Sequence, residues 1–304
     1  MFPLFDAHCD TAYAIFPGKG LRKNDLHTDL ERRKAFSVTG QVYALWQYAA
    51  DRDNDQVQSE FWAMLNNFLA ECEKNADLVK VCESFGDLNS AFRKNRQAAL
   101  LSVEGAGLFG CSIENLERVR EKGVRIVHLC WNSDNALTGA VMDSGSGLTR
   151  KGRDFVLECA KLGIMIDLSH ISDAAAWDVI GMDCVSVLAG HSNSRSVCNV
   201  PRNLPDDLLA AIAQNGGVVG LNLCPVFLGG TDPSHAKRHT EHMIRVCGSK
   251  NVCLGCDLDG VDELPEGIKG IEDMPALRAA LGFSENELDD IFFNNLMSFW
   301  ERTL

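Results

Sequence analysis

The sequence predicts an α/β protein folded as a (β/α)8 TIM barrel. Three observations lead there. Eight short apolar runs alternate with stretches of helical period along the 304 residues. Most of these runs are near-continuous Val, Ile, Leu and Ala, as in parallel strands covered on both faces. A barrel of this kind needs about 250 residues, so the length fits one domain over 1–304 with modest insertions.

The runs, in order, are Pro3–His8, Val38–Trp46, Ala98–Glu104, Gly123–Trp131, Gly163–His170, Cys184–His191, Gly216–Leu223 and Asn251–Asp257. The intervening stretches carry helix signals. Ser112 reads as an N-cap ahead of Ile113, Leu116 and Val119, with Gly123 closing that helix. Phe155, Cys159 and Leu162 share a face closed by Gly163, and Asp206 or Asp207 opens a helix that ends at Gly216. Ser284 and Glu287 form a capping box before a C-terminal helix bearing Leu288, Ile291, Phe292 and Phe299.

Composition narrows the function. The formal net charge of −13 disfavours a nucleic-acid binder, which needs a basic face for phosphates. No apolar run is long enough to span a bilayer and no targeting segment is evident, which leads to the expectation of a cytoplasmic protein without membrane partners. The 12 cysteines are scattered, mostly in or beside apolar runs, as small buried hydrophobes are in a reducing compartment.

Barrel enzymes place their chemistry at the C-terminal ends of the strands. Run one ends in His8-Cys9-Asp10, where residues two apart on a strand share a face, so His8 and Asp10 can both meet one metal. Run three ends in Glu104-Gly105, run five in Ser169-His170, run six in His191-Ser192, and run eight in Asp257-Leu258-Asp259. Imidazole and carboxylate suit Zn2+ or a similar divalent ion. His8, Asp10 and Glu104 are candidates for one ion, and Glu104, His170 and His191 for a second, with Glu104 bridging through its two oxygens. Two ions sharing a water would lower its pKa toward about 7. Asp257 is the candidate to take the proton from that water and hand it to the leaving group, with Asp259 a supporting residue. This is a barrel of the metal-dependent hydrolase type.

At these residues the chain resembles the membrane (renal-type) dipeptidases, zinc metallopeptidases of the amidohydrolase superfamily. The resemblance runs through Asp6-Ala7-His8-Cys9-Asp10-Thr11, Glu104-Gly105 and Gly163-Ile164-Met165-Ile166-Asp167-Leu168-Ser169-His170. It continues through His191-Ser192, Pro201-Arg202-Asn203-Leu204-Pro205, Gly216-Gly217-Val218-Val219 and Gly255-Cys256-Asp257-Leu258-Asp259-Gly260. It implies a two-zinc dipeptidase that tolerates a D-residue at the C-terminal position, and a homodimer is a possible assembly. It puts the same five residues on the metals, Asp257 on proton transfer, and Arg202 on the substrate carboxylate, a natural partner for a guanidinium. Without the resemblance, Arg202 reads as a surface charge in a helix-entry loop. Where renal-type members place a substrate-contacting His, this chain has Trp131-Asn132, as bacterial members can. Trp131 is therefore a substrate-binding candidate, and the resemblance points to a soluble, bacterial-like branch. Alternatives on the same site are an N-acyl amino acid amidase, a lactonase, or a barrel that only binds a ligand.

Several other groups read as structural. His239 and His242 lie in the helix before run eight, without the full His-Glu-x-x-His pattern. Cys253 and Cys256 have ligand spacing but would point to opposite faces of a strand. His128 sits inside run four as a core residue, Gly145-Ser146-Gly147 marks a loop, and His27 and His235 lie in polar loops.

Overall fold

The computed structural model describes residues 1–49 and 51–304. Nine parallel strands form the sheet: β1 (Leu4–Cys9), β2 (Thr39–Leu45), β3 (Val79–Val81), β4 (Gln97–Glu104), β5 (Val124–His128), β6 (Met165–Asp167), β7 (Val187–Leu188), β8 (Val219–Leu221) and β9 (Val252–Leu254). Eight of them run in the order β7-β6-β5-β4-β2-β1-β9-β8, and a parallel bridge between Ala189 and Val219 joins the two ends into a barrel. Each of the eight apolar runs supplies one barrel strand. β3 is an addition, a three-residue strand between two helices, paired to the first residues of β4, Gln97 to Ala99.

Two apolar layers hold the barrel. Inside, Phe5, Ala7, Val42, Leu100, Ile126, Met165, Leu188, Val218 and Cys253 fill the lower lumen. The C-terminal helix plugs that end: Trp300 packs 6.0 Å from the Phe5 ring. Gly40 has no side chain because the Phe5 ring lies where its Cβ would be, 2.6 Å away. Outside, the alternate strand residues pack on the helices, among them Leu101, Val103 and Ile166 against Phe61, Leu116, Val119 and Phe155. Cys253 belongs to the inner layer and Cys256 to the outer one, so the pair does not converge.

The helix signals correspond to local structure. Ser112 accepts the Asn115 amide, Gly163 closes its helix in the left-handed conformation, and Ser284 with Glu287 makes the reciprocal capping box. Asp206 opens its helix, as expected, and that helix ends at Gln214; the Asp206 carboxylate takes His242 and Ser196. The C-terminal helix is interrupted by a π-helical turn over Asp290–Asn294.

Three glycines narrow the lumen above this core. A Cβ on Gly220 or on Gly255 would overlap the Gly190 carbonyl oxygen, and one on Gly190 would overlap the Asp167 carboxylate. The backbones of β8, β9 and the turn after β7 therefore meet directly, and the polar mouth begins above them.

Candidate metal centre

The sequence-derived site residues converge at the C-terminal mouth. His8 Nε2 lies 3.3 Å from Asp10 Oδ2 and 3.4 Å from Glu104 Oε2. The other Glu104 oxygen, Oε1, lies 2.7 Å from His170 Nε2 and 3.5 Å from His191 Nε2. His170 and His191 face each other at 2.8 Å between their Nε2 atoms. Glu104 thus faces one ligand set with each oxygen. Donor atoms within each set, His8-Asp10-Glu104 and Glu104-His170-His191, lie within 4.8 Å of one another.

Local structure explains how they get there. Phe5 and Ala7 face the lumen, so unbroken alternation would turn His8 outward. The pairing register shifts between Asp6 and Cys9, and His8 enters the mouth instead, while Cys9 packs in the outer layer. Spacing alone gave His8 and Asp10 a shared side for a simpler reason than the one found, since Asp10 lies beyond the end of β1 and starts a short helix over Thr11–Ala14. His170 and His191 likewise stand on turns past β6 and β7. His170, Asp257 and Asp259 all hold positive φ angles (74°, 61° and 67°), a costly conformation for residues with a Cβ.

Hydrogen bonds fix the side chains. Asn132 Oδ1 lies 2.8 Å from His170 Nδ1. Asn222 donates to Asp257 Oδ2 at 2.9 Å, and Asp257 Oδ1 is 3.9 Å from His8 Nε2. Asp259 faces away from the cluster: it accepts from the Thr11 hydroxyl and the His27 amide, both at 2.6 Å. His27, read from sequence as an uninformative loop residue, completes this clasp by accepting the Asp259 amide.

Electrostatics favour a cation. Three carboxylates, Asp10, Glu104 and Asp257, are buried together, and among the described residues only Arg202 stands beside them as a fixed positive charge. Burial pushes the Asp257 and Asp10 carboxyls above the usual range, and the neighbouring Glu104 adds to both shifts. Burial also opposes ionisation of Glu104, but His8, His170 and His191 outweigh it and hold that carboxyl well below its ordinary value. Burial, reinforced by Arg202, lowers His170 to about 3, which keeps it in the neutral form a metal requires. Among the described residues, Asp10 Oδ1 and the Nδ1 atoms of His8 and His191 have no hydrogen-bond partner. Buried carboxylates and imidazoles crowded at these separations, with His170 and His191 held toward the neutral form, fit a divalent metal.

Arg202 is 5% exposed, with Nη2 3.1 Å from His170 Nε2 and its guanidinium over the Phe227 ring. The surface-charge alternative for Arg202 is therefore wrong: the loop after Pro201 folds inward and buries it. Trp131 packs against Trp46 at 5.1 Å and near His170 at 6.1 Å. These groups line a mouth cavity of about 690 Å³, with Tyr13, Val226 and Asp262 toward its rim.

Sequence reasoning missed Trp46 and Asn222. Both stand at or near the end of an apolar run, the signal that found Glu104. His128 is fully buried, as a core residue should be, but its Nε2 lies 3.4 Å from Asp167 Oδ2, neither ring nitrogen makes a hydrogen bond among the described residues, and it lies with His8 and His191 in a third group of close donor atoms. His239 is structural in geometry: it accepts the Ser194 amide and contacts the Leu228 carbonyl.

The family described as Membrane dipeptidase (Peptidase family M19) matches residues 1–303. The chain belongs to this family. It is a metal-dependent dipeptidase, a hydrolase whose substrates are small peptides. An uncharacterized dipeptidase of Schizosaccharomyces pombe is 28% identical over 99% of this chain and 81% of the relative. A metallo peptidase of Rhodobacter sphaeroides, solved with a phosphinate mimic of the dipeptide L-Ala-D-Ala, superposes with TM-score 0.92 at 26% identity over 100% of this chain and 99% of that one. The structure of dipeptidase AC, an M19 metallo peptidase, gives TM-score 0.91 at 28% identity over 99% and 98%. Despite the family's name, no helix among the described residues is long and apolar enough to cross a membrane.

Proposed function

We propose that this M19 dipeptidase hydrolyses free dipeptides, including those with a C-terminal D-residue, using two divalent ions, best Zn2+. His8, Asp10 and Glu104 hold one ion, and Glu104, His170 and His191 hold the other. The observation that carries this reading is Glu104, buried with one oxygen toward His8 and the other toward His170 and His191. Divalent ions there would supply the Lewis acidity that generates hydroxide near neutral pH and polarises the scissile carbonyl.

The chain's own residues do the rest. Asp257 takes the proton of the attacking water and returns it to the leaving amine; its raised carboxyl pKa and the Asn222 hydrogen bond suit a group that must hold a proton briefly. Arg202 pairs with the substrate's C-terminal carboxylate. It is buried, lines the mouth cavity, and has an Nε with no partner. Trp131 and Trp46 wall the cavity and exclude water from the reacting bond. The dipeptide mimic bound by the Rhodobacter sphaeroides relative, which carries D-Ala at its second position, supports the stereochemical part of the reading.

The test is a panel of L,L- and L,D-dipeptides, their C-terminal amides, and N-acyl amino acids, assayed with metal-loaded protein and a chelated control. Cleavage of free dipeptides that is lost on amidation and on chelation is expected. Two bound ions with no dipeptide turnover would overturn the substrate assignment, and one bound ion at full activity would overturn the two-metal reading.

A further inference from the structure

Four arginines are buried: Arg33, Arg125, Arg202 and Arg278. Arg125 pairs with Glu83, and Arg278 with Glu285 and Asp289. Among the described residues, no carboxylate oxygen lies within 4.0 Å of the other two. An unpaired buried guanidinium is expensive. For Arg202 the substrate carboxylate supplies a reason. Arg33 is not among the residues that line that mouth and poses the same question independently.

Arg33 is 2% exposed. Its Nε donates to the Thr28 hydroxyl at 2.9 Å and its Nη2 to the Gln41 side-chain oxygen, while Nη1 has no partner. Asp6 is the carboxylate that senses its charge most clearly, but it lies outside ion-pair reach. Arg33 lines a second cavity of about 250 Å³ together with Lys34, Phe36, Leu78, Arg96 and Gln97. Arg96 contributes a buried Nε that is also without a partner; its Nη1 is held by the Ala76 carbonyl. Lys34 is half-exposed and pairs with Glu31, which is not in the lining. The lining thus has three cationic residues and no carboxylate, in a chain of net charge −13. Thr39 and Gln97, the first residues of β2 and β4, also border it, so the cavity opens at the pole of the barrel opposite the metal centre.

We propose that this cavity binds a small oxyanion, phosphate or a short carboxylate, held by the guanidinium groups of Arg33 and Arg96. Phosphate and carboxylate present the same acceptor chemistry to two guanidinium groups, and the volume admits either.

The test titrates inorganic phosphate and, separately, acetate into metal-loaded full-length protein by calorimetry, with ionic strength balanced by chloride. Thermal unfolding is followed in parallel. Saturable binding of at least one anion is expected, with a rise in Tm that grows with ligand concentration. Binding should survive Arg202→Met and weaken at least about tenfold in Arg33→Met and in Arg96→Ala, as loss of one charge-assisted hydrogen bond implies. Which anion binds more tightly distinguishes the two sources. Arg96 is half-buried at the surface, so its variant carries the test if Arg33→Met does not fold. Absence of saturable binding in the wild type overturns the proposal. So does binding that disappears in Arg202→Met while Arg33→Met and Arg96→Ala leave it unchanged, because the anion would then occupy the catalytic mouth.

Discussion

Replacing Arg202 by Met tests the proposed carboxylate contact. Met keeps much of the volume that packs on Phe227 and removes the charge. Arg202 is 5% exposed, so a substrate carboxylate bound there is shielded from water and would lose its partner outright. Truncating one member of a buried, hydrogen-bonded charge pair costs about 2–5 kcal/mol, or roughly 30-fold to several thousand-fold in affinity. We expect kcat/KM for free dipeptides to fall by about 100-fold or more, carried mainly by KM. C-terminally amidated dipeptides, which carry no such charge, should lose less than about threefold, so the wild-type preference for the free acid collapses. Metal content must be measured alongside. Arg202 Nη2 lies 3.1 Å from His170 Nε2, so removing its charge lessens repulsion of a cation held there, and metal retention should not fall. An equal loss on free and amidated substrates, with metal retained, would refute the assignment of Arg202 to the carboxylate.

Other outcomes follow from the same geometry. Asp257→Asn should retain metal by elemental analysis and lose about 10²–10⁴ of kcat; undiminished turnover would remove Asp257 from proton transfer. Asn132→Ala deletes the contact on His170 Nδ1 and should weaken metal affinity about 10–100-fold in chelator competition, whereas unchanged affinity would make that contact incidental. Gly220→Ala forces a methyl into the Gly190 carbonyl and should destabilise the fold by about 1–3 kcal/mol or more in urea unfolding; wild-type stability would mean the strands part easily there. His239 is buried and its pKa is lowered from 6.5 to about 4, so the unfolded chain binds the proton first as pH falls. Its contribution is complete above pH 6.5 and is lost toward pH 4, so His239→Gln should flatten that part of the stability–pH profile. Parallel profiles for the two proteins would count against this.

The barrel was legible because burial on both faces imposes continuous apolar runs, and each of the eight runs holds a barrel strand. β3 escaped notice because Val79–Val81 is too short to carry a period and pairs along one edge only. The convergence of Glu104, His170 and His191 could be expected from polar residues at strand ends, since barrel closure brings those ends together. The orientation of His8 could not, because it depends on a register shift that no residue spacing encodes. Arg202 was ambiguous for a related reason: a charge in a loop says nothing of whether the loop folds over the mouth. The positive φ at Asp257 and His170 was equally silent, because tertiary contacts impose it on residues that do not prefer it.

The glycine constriction sets a boundary for altering this enzyme's selectivity. Backbone meets backbone at Gly190, Gly220 and Gly255, so the cavity cannot be deepened by trimming side chains there, and any added carbon collides. Mutational libraries aimed at these three glycines would carry a stability cost with every substitution. Productive diversity lies at the rim, where Tyr13 and Val226 are exposed and line the same cavity, and a new substrate would have to be accommodated sideways rather than downward.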